Sequence, residues 1–202
     1  MRNVTVILMA AGLSRRMGER NKLLLPINGV PMIRHMVDLY AGMSTQPVLV
    51  VTGHDAKAVE EALEGSNAKP VFNPDYAQGQ QTSVACGLRA ADGANPILIG
   101  LGDQPLLTRD DLNTLFAAHE AADQDRISIP ILDNQRGNPI LVPGHLRARL
   151  LADPKSPGCK TFTRAHPEHI QFHALPGPGF YTDIDTPEAY SALLQRTLEK
   201  TP

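Results

Sequence analysis

Val4-Thr5-Val6-Ile7-Leu8-Met9-Ala10-Ala11-Gly12-Leu13-Ser14-Arg15-Arg16-Met17-Gly18, followed closely by Asn21-Lys22, decides the fold. A near-continuous apolar run such as Val4–Met9 is the pattern of a strand buried on both faces. It opens onto a turn of small residues, then two adjacent arginines, then a lysine. Small side chains let backbone N–H groups approach phosphate oxygens closely, and the cations offset their charge. The stretch therefore predicts a strand-to-loop cradle for a triphosphate. The competing reading is a plain strand-to-helix turn with solvated arginines. No Gly-Lys-Ser/Thr triplet is present, which excludes a Walker A loop. Gly12 and Gly18 lack the third glycine of the dinucleotide fingerprint.

Outward from this strand, apolar runs alternate with amphipathic stretches. Pro31 is expected at the first position of a helix bearing Met32, Ile33, Met36, Val37 and Tyr40. Val48–Val51 reads as a second buried strand, followed by a helix capped by Asp55. Val71-Phe72 is a short strand stopped by Asn73-Pro74-Asp75, and Ser83–Ala91 a helix of small residues. Pro96–Leu101 is the next buried strand, and Thr108 caps the helix after it. This alternation predicts an α/β fold with parallel crossovers. Ile127–Leu132 and Pro139–Val142 are separated by too short a loop for a crossover helix, so they are expected to run antiparallel. Pro154–Gly158 reads as irregular, and Thr186-Pro187-Glu188 opens a last helix with Tyr190, Leu193, Leu194 and Leu198 on its apolar face. One domain, residues 1–202, with a mostly parallel mixed sheet in a Rossmann-like three-layer α/β/α arrangement, is the expectation.

Composition narrows the function. The 202 residues suit a single sizeable core, and a net charge of −2 provides no global field for nucleic acid or anionic membrane. Any anion must bind locally. No apolar run reaches the roughly 20 residues of a membrane span, and Met1-Arg2-Asn3 leads into a strand without a signal-peptide cleavage pattern. Two cysteines, Cys86 and Cys159, make no disulfide framework or zinc set, so a cytoplasmic location is expected.

Three further motifs carry chemistry. Gly100-Leu101-Gly102-Asp103-Gln104-Pro105 ends a buried strand, where α/β sheets place ligands. A carboxylate there either holds a hard cation such as Mg²⁺ against phosphate oxygens or caps the turn. Tyr181–Pro187 is read as a short strand whose alternation puts Asp183 and Asp185 on one face, as a metal ligand or as helix-capping acids. Gly79-Gln80-Gln81-Thr82-Ser83 sits at a helix start, where it either reads a base or supplies a cap through Thr82 or Ser83. His166, His169 and His173 span a proline and are read as loop histidines. No Gly-x-Ser-x-Gly nucleophile elbow occurs.

Taken in order, Met9–Gly18, Asn21-Lys22-Leu23-Leu24, Asn73-Pro74, Gly79 with Ser83, Gly102–Pro105 and Asp183–Glu188 resemble the MobA-like nucleotidyltransferases, and within them the molybdenum cofactor cytidylyltransferase branch. The resemblance implies a fold like that of the nucleotide-diphospho-sugar transferases. It also implies attack of a substrate phosphate on the α-phosphorus of a nucleoside triphosphate. In that scheme Ala10, Ala11, Gly12, Leu13, Ser14 and Arg15 wrap the nucleotide. Arg16 and Lys22 hold phosphates, Gly79 and Ser83 approach the base, and Asp103 and Asp185 bind Mg²⁺. Arg16, Lys22 and Asp103 are the implied catalytic set. Gly137-Asn138-Pro139 resembles the segment near the acceptor, with Asn138 where histidine is common. Guanylyl-transferring relatives usually have Gly-Gly where this chain has Ala11-Gly12, and the Ala11 methyl favours a pyrimidine. The implied substrates are CTP, with GTP as the alternative, and a phosphorylated pterin cofactor. A molybdenum hydroxylase is the implied client. The alternatives are transfer to another phosphorylated small molecule, or a nucleotide-binding chaperone that delivers a cofactor.

Overall fold

The computed structural model describes residues 1–18, 20–152 and 159–199. The irregular segment expected at Pro154–Gly158, and the Leu198 side chain, lie outside the described residues.

The Val4–Met9 run forms β1 (Thr5–Ala10), buried along its whole length. A small hairpin, β2 (Pro26–Ile27) and β3 (Val30–Pro31), leads into α1 (Met32–Ala41). Then come β4 (Val48–Thr52), α2 (Ala56–Ala62), β5 (Ala68–Phe72), α3 (Gln80–Ala90), β6 (Ile97–Leu101) and α4 (Arg109–Glu120). The chain continues through β7 (Ile127–Leu132), β8 (Gln135–Arg136), β9 (Ile140–Val142), α5 (Arg147–Leu151), α6 (Cys159–Ala165), β10 (Ile170–Ala174) and α7 (Pro187–Glu199).

The main sheet has the order β10-β7-β9-β6-β1-β4-β5, with β8 paired to β7. β1 pairs in parallel with β4 and β6, β4 with β5, and β10 with β7. β9 runs antiparallel to both β6 and β7, as the short 133–138 connection predicts, and it lies between them. The sheet is therefore mostly parallel and mixed. Two apolar clusters cover its faces. One includes Val6, Leu8, Ile33, Tyr40 and Leu112, the other Ile7, Val51, Leu88 and Ile129. Ile7 and Leu8 fall in different clusters because successive strand side chains face opposite ways.

Several local expectations are corrected. Pro31 precedes α1 and closes β3. Asp55 occupies the N-cap of α2 in a left-handed conformation (φ 52°) without capping; its carboxylate instead accepts from Asn21 Nδ2 at 3.4 Å. Helix α3 starts at Gln80, three residues before the expected Ser83, so Thr82 and Ser83 lie within its first turn and do not cap it. Residues 181–186 form no strand. Thr108 does cap α4, in a reciprocal capping box with Asp111. Thr186 Oγ1 accepts from Ala189 N at the start of α7.

Candidate active site

The parallel strands direct their carboxyl ends to one edge of the sheet, where the crossovers leave a cleft of about 970 Å³. The loop after β1 forms one wall. Ala10 and Ala11 are buried against the sheet, whereas a Cβ on Gly12 would meet nothing, so packing within the protein does not require glycine there. Ser14 turns the chain in a left-handed conformation (φ 49°), and its Oγ accepts the Lys22 backbone N–H at 3.3 Å. Asn21 caps the short turn 22–24 by accepting from Leu23 N at 3.1 Å. These bonds fix the direction in which Lys22 leaves the loop.

Lys22 is only 8% exposed. Its Nζ donates to Asp103 Oδ2 and, at 2.6 Å, to Asp185 Oδ1. Arg16 Nη2 completes the group with a 2.5 Å bond to Asp185 Oδ2. Burial alone would lower the pKa of the Lys22 ammonium, but Asp103 and Asp185 outweigh it and the pKa is raised. Burial alone would raise that of Asp185, but Lys22 and Arg16 hold its carboxyl below the usual range. Asp103 Oδ1 is buried and has no hydrogen-bond partner. Leaving a buried carboxylate oxygen unpaired is costly, and Asp103 lines the cleft. Asp183, beside it, accepts from the fully buried Gln104 at 2.8 Å; burial, then the negative charge of Asp103, pushes its carboxyl up.

Polar groups of α3 line the opposite wall. Asn73, itself buried, donates through Nδ2 to Thr82 Oγ1 and Ser83 Oγ at 2.9 Å each, while its Oδ1 accepts from Asp75 N. This leaves the Ser83 hydroxyl hydrogen available to the cleft. Tyr76 and Ala11 close tightly on Gly53, where a Cβ would lie 2.5 Å and 2.8 Å from their Cβ atoms.

A family model for the MobA-like NTP transferase domain matches residues 6–170. The chain belongs to this family. The MobA-like chain is 28% identical to nicotine blue oxidoreductase of Paenarthrobacter nicotinovorans, over 95% of its own length and 96% of the relative's. It is 34% identical to the bifunctional protein GlmU of Pelobacter propionicus over 76% of its length, but spans only 32% of that protein. A nucleotidyl transferase from Methanothermobacter thermautotroptrophicus has the same architecture, with a TM-score of 0.83, 25% identity and full coverage of both chains. A manganese complex of Rv0371C from Mycobacterium tuberculosis shares the fold, with a TM-score of 0.68 and 20% identity over 96% of this chain and 99% of that one. By family and by fold the chain is an NTP transferase domain.

The sequence-derived site residues of this MobA-like domain divide into two groups. Ala10–Leu13, Arg15, Lys22, Gly79, Ser83, Asp103, Gly137 and Asn138 line the cleft. Ser14, Arg16, Pro139 and Asp185 do not; Arg16 and Asp185 enter through their bonds to the Lys22 group. The Asn138–Pro139 peptide is cis and leads into β9. Asn73 and Gln104 are absent from the sequence reading as holding residues, because their partners sit on separate segments. Among the described residues no group of three or more histidine, cysteine or acidic side chains could hold a metal. No helix among them is long and apolar enough to cross a membrane.

Proposed function

We propose that the chain transfers CMP from CTP to the terminal phosphate of a molybdopterin-type cofactor, with release of pyrophosphate. An oxygen of the acceptor phosphate bonds to the α-phosphorus, and the bond from that phosphorus to the β-phosphate oxygen breaks. The observation that carries this reading is the buried Lys22 ammonium shared by Asp103 and Asp185 at the mouth of β1 and β6. A phosphate nucleophile already carries its attacking oxygen. Alignment and charge stabilisation therefore suffice, and no activated serine or histidine is required. Lys22 and Arg16 neutralise phosphate charge, and the loop Ala10–Arg15 positions the triphosphate. Ser83 donates its hydroxyl hydrogen to the base.

Asp103 and Asp185 are the residues that would hold Mg²⁺. Two carboxylates with one unpaired oxygen fit this ion, which takes one or two protein carboxylates and completes its shell with phosphate and water. When bound, it supplies charge neutralisation at the phosphate oxygens. Asn138 favours a second reading of the acceptor, because it replaces the histidine common in that segment: the same transfer to another phosphorylated small molecule.

The test is pyrophosphate release with each of the four triphosphates and the pterin acceptor, with Mg²⁺ and with excess chelator. CTP turnover at least tenfold above GTP, lost on chelation, is expected. No pyrophosphate from any triphosphate, with a folded protein that instead consumes a reduced nicotinamide, would overturn the proposal.

A further inference from the structure

Arg136, Lys160 and Arg164 line the same cleft, yet none belongs to the Lys22 group. Arg136 stands in β8, and its guanidinium carbon lies 4.9 Å from the centroid of the Phe172 ring of β10. Its Nη1 donates to Thr163 Oγ1 of α6 at 3.4 Å. A ring on one side and a hydroxyl at one end restrict this planar fork, so its other N–H donors are held ready. Lys160 and Arg164 are four residues apart on α6 and so share a helix face. None of the three forms an ion pair with a carboxylate among the described residues. In all, five cations line the cleft (these three with Arg15 and Lys22) against the two carboxylates Asp103 and Asp183, in a chain of net charge −2.

Position in the sheet separates the two cationic groups. Asp103 follows β6; β7, which pairs with β8, lies two strands away and β10 three. At about 4.8 Å per strand, β10, whose Phe172 ring carries the Arg136 guanidinium, runs on the order of 14 Å from β6, which Asp103 follows. A phosphate binds groups within about 3 Å of its oxygens, and among the described residues none of the three cations bonds to any member of the Lys22 group.

We propose that Arg136, Lys160 and Arg164 form a second anion subsite, which receives an oxyanion of the acceptor other than the phosphate that reacts. This rests on the nucleotidyl-transfer reading and extends it. The acceptor carries negative charge at two ends, and the protein recognises the second by a bidentate guanidinium fork and two helix-borne cations.

The test is calorimetric titration of the full chain at low ionic strength with inorganic phosphate as the probe, alone and with a saturating non-hydrolysable CTP analogue. Phosphate is expected to bind in both conditions. The double substitution Arg136→Gln/Arg164→Gln should weaken it at least tenfold and change the analogue's Kd less than twofold. Lys160→Gln should weaken phosphate severalfold, and Arg196→Gln, on α7 outside the cleft, should leave it unchanged. Unaltered melting curves would establish that the variants fold. The subsite is overturned if phosphate does not bind, if the double variant binds it normally, or if that variant weakens the analogue tenfold. A chain that binds no nucleoside triphosphate refutes the proposed function instead, while the difference in phosphate binding between the double variant and the unaltered chain still reports on the subsite.

Discussion

At the scale of the residue, Lys22 shows how a charge is kept away from the solvent that would screen it. It is buried, its direction is set by Ser14 and Asn21, and its ammonium is held by two carboxylates. Lys22→Ala and Asp103→Asn are each expected to lower kcat/KM by roughly two to three orders of magnitude, the usual cost of removing a group that meets transition-state charge. Unchanged circular dichroism would show that the fold survives, and near-normal rates would remove that residue from the mechanism. Ala11 makes a separate prediction. Its methyl packs beside Gly53 in the cleft wall; if the proposed CTP reading holds, Ala11→Gly should raise the GTP-to-CTP ratio of kcat/KM by about tenfold, the scale of one methyl group in a specificity pocket. Lys22 and Asp103 were legible in the sequence because both stand close behind apolar strands, where ligand groups collect. Asn73 was legible as a strand stop and as part of the family resemblance, but not as the residue that holds Ser83. Its hold on Ser83 crosses from the end of β5 to α3, and no local spacing encodes that contact.

At the scale of the element, β6 carries a constraint that its apolar run conceals. A Cβ on Gly100 would lie 2.1 Å from the Oη of Tyr40 and 2.4 Å from its Cζ, and Tyr40 is fully buried. Gly100→Ala is therefore expected to destabilise the protein by about 1–3 kcal/mol, the range for overpacking a filled core, measured by urea unfolding. The Tyr40 hydroxyl has no hydrogen-bond partner, and burial with the Asp103 charge pushes its pKa up, so it stays neutral. Tyr40→Phe should consequently cost little by itself and reduce the penalty of Gly100→Ala. The parallel pairing around β1 was legible because each apolar run is followed by a helical pattern. The antiparallel sense of β9 was legible from its short connection. Its insertion between β6 and β7 was not, because strand partners across a crossover are chosen by packing over the whole sheet.

At the scale of the whole molecule, α4, β7 and β10 meet at one hydroxyl. Ser128 Oγ is fully buried and lies 2.8 Å from His119 Nδ1, 2.9 Å from His173 Nε2 and 3.0 Å from Gln171 Nε2. Gln171 donates, leaving the hydroxyl one lone pair and one hydrogen for two rings, so one ring accepts through an unprotonated nitrogen and is neutral while the other donates. Burial lowers the pKa of both histidines, and the neighbouring His173 lowers that of His119 further. Both folded values thus lie below the unfolded value of about 6.5. The unfolded chain takes up protons first as pH falls, so stability present above pH 6.5 is lost on acidification until the folded pKa values are passed. The melting temperature should fall between pH 7 and pH 5, and His119→Gln/His173→Gln should flatten that slope; an unchanged slope would refute the account. The bond between Lys22 and Asp185 has a consequence for biosynthesis, since it joins residues 163 positions apart. The ribosome makes the cradle after β1 early and the second carboxylate late. A nascent chain released before Asp185 has the loop and the lysine but not the contact that closes the charge set, so the site is assembled only after residue 185 has been made.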